Sequence, residues 1–203
     1  MHAIGRGLAL VLAAWIGLLA AQPAAAQFSD SFKFLDAIRK SDNDAVLKFL
    51  EQPGVTPINT RDKSTGETAL MIVVARRDLT FTNYLLARGA RPDIADNNGR
   101  TPLLVAVEKR FTEGAQLLLA RGANVNLSNS SGETPLIRAV QMRDLEMVRL
   151  LIGGGADPSR RDRIAGMSAI DYAKSGNPVA GMVEALTAKQ AAPKNKAVQG
   201  PSL

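Results

Sequence analysis

A regular spacing of glycines is the feature that most restricts how this chain can fold. Gly66, Gly99 and Gly132 are spaced by 33 residues, and Gly166 follows after 34. Such self-similarity is typical of proteins that stack one small unit several times. Alignment on these glycines brings a second marker, Thr or Ser before an apolar pair, into register at Thr68-Ala69-Leu70, Thr101-Pro102-Leu103, Thr134-Pro135-Leu136 and Ser168-Ala169-Ile170. We therefore expect a linear array of repeats.

Each unit contains the signals for two short helices. Thr101 before Pro102 predicts a helix start, because the Thr side chain accepts a hydrogen bond from a free amide and Pro needs none at the first helical position. Apolar residues then recur with helical spacing in two segments, which are broken near residues 109–112. Gly89 and Gly122 follow the second segment, where a left-handed cap ends a helix. The polar stretches 93–99 and 126–132 predict projecting loops.

This unit resembles the ankyrin repeat, with copies near 32–63, 64–96, 97–129, 130–162 and 163–187. The resemblance implies an all-α ankyrin-repeat solenoid of about five stacked helix-turn-helix repeats with projecting loops, the first and last acting as caps. Met71, Leu104 and Ile137 stand where the family usually has His. We expect the loops to be held less firmly without imidazole links, whereas the helix stack should survive.

The first 26 residues read as an export signal. Arg6 supplies a positive charge, residues 8–20 are an apolar run, and Ala24-Ala25-Ala26 precede Gln27 as a signal-peptidase site. The run is shorter than the about 20 residues needed to span a bilayer, and a retained anchor is the alternative to cleavage. Cleavage after Ala26 predicts a periplasmic or secreted protein that meets the membrane only transiently. The divisions are a signal peptide at 1–26, a repeat domain at 27–187 and a flexible tail at 188–203.

Cleavage would also change the inventory of reactive groups. The only His, His2, and the only Trp, Trp15, lie in the signal, and the chain has no Cys. The cleaved chain would therefore have no imidazole or thiolate nucleophile, no His general base and no Cys/His metal site. The run 153–155 is Gly-rich but lacks the Lys and Ser/Thr of a phosphate loop, so a helix cap is the better interpretation. We expect no enzyme activity, no cofactor and no metal.

A basic ladder, formed by Arg77, Arg110 and Arg143, recurs at the repeat period. One interpretation is that these cations offset the dipoles of the first helices. The other is a basic edge that attracts an acidic partner. Nucleic acid is not expected as that partner, because the aromatic residues are few and scattered and form no stacking platform.

The family resemblance implies a protein partner held by the loop tips and first helices. The expected function is a non-catalytic, monomeric protein-binding module of the cell envelope. The alternative is a structural or surface-associating protein that binds anionic envelope material through its Arg and Lys rows. The family's usual contact positions fall on Ser64, Thr65, Glu67, Arg76, Asn97, Asn98, Arg100, Glu108, Lys109, Ser130, Ser131, Glu133, Gln141 and Met142.

Overall fold

The structure, a computed structural model, describes residues 24–51, 57–175 and 179–188. Within these ranges the chain forms α-helices and a short 3₁₀ turn at Pro57–Asn59, and no β-strand. The helices are α1 (Ala24–Lys40), α2 (Asn43–Glu51), α3 (Ala69–Ala75), α4 (Leu79–Ala87), α5 (Pro102–Glu108), α6 (Thr112–Ala120), α7 (Pro135–Gln141), α8 (Leu145–Gly153), α9 (Ala169–Ser175) and α10 (Met182–Thr187). The expected all-α class is confirmed.

The helix starts agree with the sequence signals. Thr68, Thr101 and Thr134 are the N-caps of α3, α5 and α7, and each side-chain oxygen accepts a hydrogen bond from the backbone amide three residues later. Pro102 and Pro135 occupy the first turn, where no amide partner is lost. The predicted glycines after the second helices are also left-handed, with φ of 91° at Gly89, 82° at Gly122 and 88° at Gly155.

The helices form two layers that run the length of the array. The first helices α1, α3, α5, α7 and α9 stack on one another, and the second helices pack behind them. The first helices contact one another more extensively than α4, α6 and α8 do. The resemblance to the ankyrin repeat implies that the first-helix side is the concave one, and it is called the concave side below. A single apolar core runs between the layers from Phe34 to Leu186.

Met71, Leu104 and Ile137, at the positions where the family usually has His, are buried. They are exposed by 2%, 0% and 0%. Each follows a buried Leu, so two consecutive side chains of α3, α5 and α7 are buried. These positions therefore add apolar packing and leave the tethering of the loops to other residues.

Four non-glycine residues in the described turns between paired helices have left-handed backbones. Arg77, Arg110 and Arg143 have φ of 60°, 51° and 58°. Ser41 adopts the same conformation in the first repeat, with φ of 58°. A side chain in this region costs about 1–2 kcal/mol relative to the right-handed form. The ladder positions thus carry strain that glycine would avoid.

Parts of the chain with sequence-based predictions lie outside the described residues. These are positions 1–23 of the predicted signal peptide and 189–203 of the predicted tail. Among the helices that are described, none has both the length and the apolar character needed to cross a membrane.

Candidate partner-binding surface

Four hairpins project from the helix stack, and each is organised by one Asp or Asn side chain. The carboxylate of Asp62 accepts hydrogen bonds from the amides of residues 64 and 65, and that of Asp96 from residues 98 and 100. The Asn129 carbonyl oxygen accepts from residues 131 and 133. Asp162 accepts from residues 164, 165 and 166. Because the bonds are local, the hairpins have defined shapes without the imidazoles of the family pattern.

The hairpins are also bonded to one another along the array. The Asn97 amide donates to the Thr65 carbonyl at 3.0 Å, and its side-chain nitrogen donates to the Ser64 carbonyl at 2.8 Å. The next step repeats the pattern, with the Ser130 amide donating to the Asn98 carbonyl at 2.9 Å. The last step runs from the amide of residue 163 to the carbonyl of residue 131 at 2.8 Å. The four tips therefore form one continuous, ordered edge.

Ion pairs join the first hairpin to the concave helix layer. The Arg39 guanidinium on α1 lies 2.7 Å from an Asp62 carboxylate oxygen and 3.9 Å from one of Glu67. The pKa of Asp62 is held well below its usual range, first by the Ser64 hydroxyl, then by the Thr65 amide and Arg39. The Asp62 carboxylate is therefore ionised at any pH near neutral.

Two further ion-pair sets continue along the concave side. Arg100 binds Asp96 at 2.7 Å and Glu108 at 3.3 Å, and so links a hairpin to the end of α5. In the next repeat Arg138 binds Glu133 at 2.8 Å. Burial raises the pKa of Glu133 despite this ion pair. Most of the charges on this side are thus already paired within the protein.

The fourteen predicted contact residues fall into three groups. The first is exposed and comprises Ser64, Thr65, Asn97, Asn98, Lys109, Ser130 and Gln141. The second is half-buried and comprises Glu67, Arg76, Arg100, Glu108, Ser131 and Met142. Glu133 stands alone in the third, exposed by only 7%, which leaves it little surface for a partner.

Arg76 and two of the three ladder residues contact the array itself. Arg76 binds Asp78 at 3.0 Å and donates to the Ile38 carbonyl. Arg77 stacks 5.9 Å from the ring centre of Phe111 in the next repeat. Arg110 likewise reaches across to its neighbouring repeat, where it binds Asp144. Arg143 is exposed, and its side chain makes no hydrogen bond or ion pair with the described residues.

Several residues that shape this surface were not among the predicted contact residues. Arg39 and Arg138 carry its ion pairs, and Asp162 organises the last hairpin. Tyr172 on α9 donates its hydroxyl hydrogen to Asp162 and lowers the pKa of that carboxyl. The Asp of each hairpin recurs near the repeat period at 62, 96 and 162, with Asn at 129, so periodicity could have found this set.

The described residues contain no group of three or more His, Asp or Glu side chains placed to hold a metal ion. Comparison with curated proteins found no match. Family models do match: one for ankyrin repeats in three copies covers residues 34–129, and one for ankyrin repeats in many copies covers 112–152. Together with the stacked helix pairs and bonded hairpins, these matches show that the chain belongs to the ankyrin-repeat family.

Proposed function

We propose that the chain is an exported, non-catalytic module that binds a partner protein on the concave surface. Ankyrin repeats are in general protein-interaction modules, and this supports the class of function. The observation that carries the proposal is the continuous bonding of the four hairpin tips, because an edge that is already ordered loses little entropy on binding. The Asn97 bonds to Ser64 and Thr65 are its clearest example.

The groups that remain available define the proposed contact. The side chains of Asn98, Lys109 and Ser130 are exposed and make no hydrogen bond or ion pair with the described residues. Met142, half-buried at the C-cap of α7, offers apolar surface. A partner with mixed polar and apolar character suits this combination better than a strongly charged one.

The test begins with affinity capture from an envelope extract, using the tagged chain without residues 1–26. Affinity for the captured protein is then measured for a variant with Ala at positions 98, 109, 130 and 142. We expect a loss of about tenfold or more, because central contacts dominate interface energies. The matched control carries Gln116→Ala and Arg149→Ala, both exposed on second helices, and should bind as the parent does. Equal affinities for the two variants would overturn the concave surface as the site.

Export is the second part of the proposal. Its support is the sequence of residues 1–26, and helix α1 begins at Ala24, so cleavage after Ala26 leaves most of that helix in place. The mass of the protein recovered from the producing cells gives the cleavage point directly. Since Trp15 is the only tryptophan, the cleaved protein should also lack tryptophan emission. Intact mass with clear tryptophan emission would contradict export by cleavage.

The alternative, binding to anionic envelope material, needs cations that are free. Arg77 and Arg110 are engaged by the neighbouring repeat, Arg88 stacks on Tyr84 at 5.1 Å, and Arg121 bonds Asn83 at 3.0 Å. These contacts favour the protein-binding proposal. Salt separates the two: binding to a protein through the concave surface should change little with ionic strength, whereas binding to anionic material should weaken steeply.

A further inference from the structure

The hairpins at residues 61–68 and 161–168 share one backbone design. Each is bracketed by an isolated antiparallel bridge, from Arg61 to Thr68 and from Arg161 to Ser168. In both, the Asp amide donates a hydrogen bond to the carbonyl five residues later. In the two middle hairpins the corresponding bond runs to the carbonyl four residues later. The Arg that opens each hairpin also donates to the carbonyl of its glycine, at residue 66 or 166. The two loops can therefore be compared position by position.

The tip position of the hairpin holds a polar side chain in one loop and an apolar side chain in the other. Ser64 occupies it in the hairpin of the second repeat, where its hydroxyl donates to Asp62 at 2.6 Å. The last hairpin has Ile164 there, and it is 82% exposed. Because Ser supports the same backbone, the loop does not require an apolar residue at this position. A lone exposed apolar side chain is ordinary, so a second observation is needed to give it a role.

Arg163, the neighbour of Ile164, supplies that observation. Its side chain lies back across the preceding hairpin, where its Cγ is 2.8 Å from the place that a Cβ on Gly132 would take. One guanidinium nitrogen donates to the Ser130 carbonyl at 3.4 Å. Arg163 is exposed, and its other guanidinium N–H groups form no hydrogen bond with the described residues. A planar guanidinium with free N–H groups can hold a carboxylate through two parallel hydrogen bonds.

The hairpin that carries both side chains is ordered by the hydrogen bonds of Asp162. One carboxylate oxygen of Asp162 accepts hydrogen bonds from the amides of residues 164–166, and the other accepts a hydrogen bond from the Tyr172 hydroxyl. Ile164 and Arg163 are therefore presented on an ordered loop, and a ligand would not have to order it.

We propose that this hairpin, residues 162–167, docks a linear protein segment that carries a carboxylate next to an apolar side chain. Arg163 binds the carboxylate, and Ile164 packs on the apolar side chain. The inference rests on the proposed function and names the chemistry of the partner. A protein segment is favoured over a lipid surface because the other hairpin tips are polar, and binding to a bilayer depends on the apolar area inserted.

The experiment uses a phage-displayed library of random linear peptides, panned against the chain without residues 1–26. Enriched peptides are synthesised, and their affinities are measured by fluorescence anisotropy. We expect an Asp or Glu close to a large apolar residue in these peptides. Ile164→Ser and Arg163→Ala should each weaken binding about tenfold. Arg163→Lys should weaken it less, because Lys keeps the positive charge but lacks the paired N–H donors of the guanidinium. Lys63→Ala, the matched change in the hairpin with Ser at its tip, should leave affinity unchanged.

The other outcomes overturn the inference. Peptides without a carboxylate, or equal affinity for the Ile164→Ser variant, contradict the assigned chemistry. Peptides that are weakened by Ala at positions 98, 109, 130 and 142 but not by the hairpin variants would leave the proposed function intact and remove the hairpin from it. A library without binders, together with sedimentation on phosphatidylglycerol vesicles that is lost in Ile164→Ser, would assign the hairpin to lipid instead.

Discussion

Arg110 and Asp144 join the third repeat to the fourth. The guanidinium lies 3.2 Å from an Asp144 carboxylate oxygen and also donates to the Met142 carbonyl at 2.6 Å. Asp144 is at the same time the N-cap of α8, because its other oxygen accepts the Met147 amide at 3.0 Å. One carboxylate therefore holds both the start of a helix and the preceding repeat.

Replacement of the ladder residues by Gly should distinguish the cost of the left-handed backbone from the stabilisation that the Arg side-chain bonds provide. Arg143→Gly should raise the free energy of unfolding by about 0.5–1 kcal/mol, since relief of the left-handed backbone exceeds the added entropy of the unfolded chain. Arg110→Gly gives the same relief but loses the Asp144 and Met142 bonds, so its net effect should be near zero. Urea unfolding measures both. An equal gain in the two variants would show that the Arg110 contacts contribute nothing.

Gly114 lies under the ring of Phe111, and a Cβ there would be 2.2 Å from two ring carbons. Gly114→Ala should therefore destabilise the protein by about 1–3 kcal/mol through overpacking. The control is Gly153→Ala in α8, where the added Cβ would meet no atom within 4 Å apart from the adjacent backbone of its own helix. It should stabilise by up to about 1 kcal/mol through helix propensity. Thermal or urea unfolding compares them, and a stabilising Gly114→Ala would contradict the packing of Phe111.

Tyr172→Phe should remove a pH-dependent part of the stability. The Tyr172 hydroxyl lowers the pKa of Asp162, so the hydrogen bond favours the ionised carboxylate and stabilises the fold above the unfolded pKa of about 4. The variant should lose about 1 kcal/mol at neutral pH. This difference should shrink as the pH falls through the folded pKa of Asp162. Urea unfolding across acidic pH tests it, and a difference that is constant with pH would contradict the assignment.

Asn97→Ala should uncouple two hairpin tips without unfolding the array. The side chain donates to the Ser64 carbonyl and accepts from Arg61 at 3.1 Å, and both bonds would be lost. We expect faster amide hydrogen exchange at Asn97 and in the hairpin at 61–68, with a change of about 1 kcal/mol or less in global stability. Asn98→Ala is the control, because the Asn98 side chain bonds none of the described residues. Unchanged exchange in Asn97→Ala would show that backbone bonds alone hold the tips.

The repeat pattern was enough to predict the fold because its signals are local. Thr101 caps the helix that Pro102 begins, and Gly122 ends the next one, whatever the rest of the chain does. Stacking then follows, since a repeat buries its apolar face only against its neighbours. Family membership could be argued for the same reason.

The surface could be predicted only in part. Asn98, Lys109 and Ser130 are exposed and available, as their family positions imply. Glu133 occupies an equivalent position to Arg100 but is buried, because its exposure depends on Arg138 and Asn129 around it. The periodic position of a residue gives its place on the backbone, whereas its partners come from other repeats.

By itself, the sequence determined the period, the helix ends and the left-handed glycines, all of which depend on bonds within a few residues. Only the tertiary structure decided what the arginines do. Arg77, Arg110 and Arg143 look alike in sequence, yet one stacks on Phe111, one binds Asp144, and the third makes no side-chain bond with the described residues. The physical reason is that a long side chain reaches the next repeat, so its role is set by the residue it meets there.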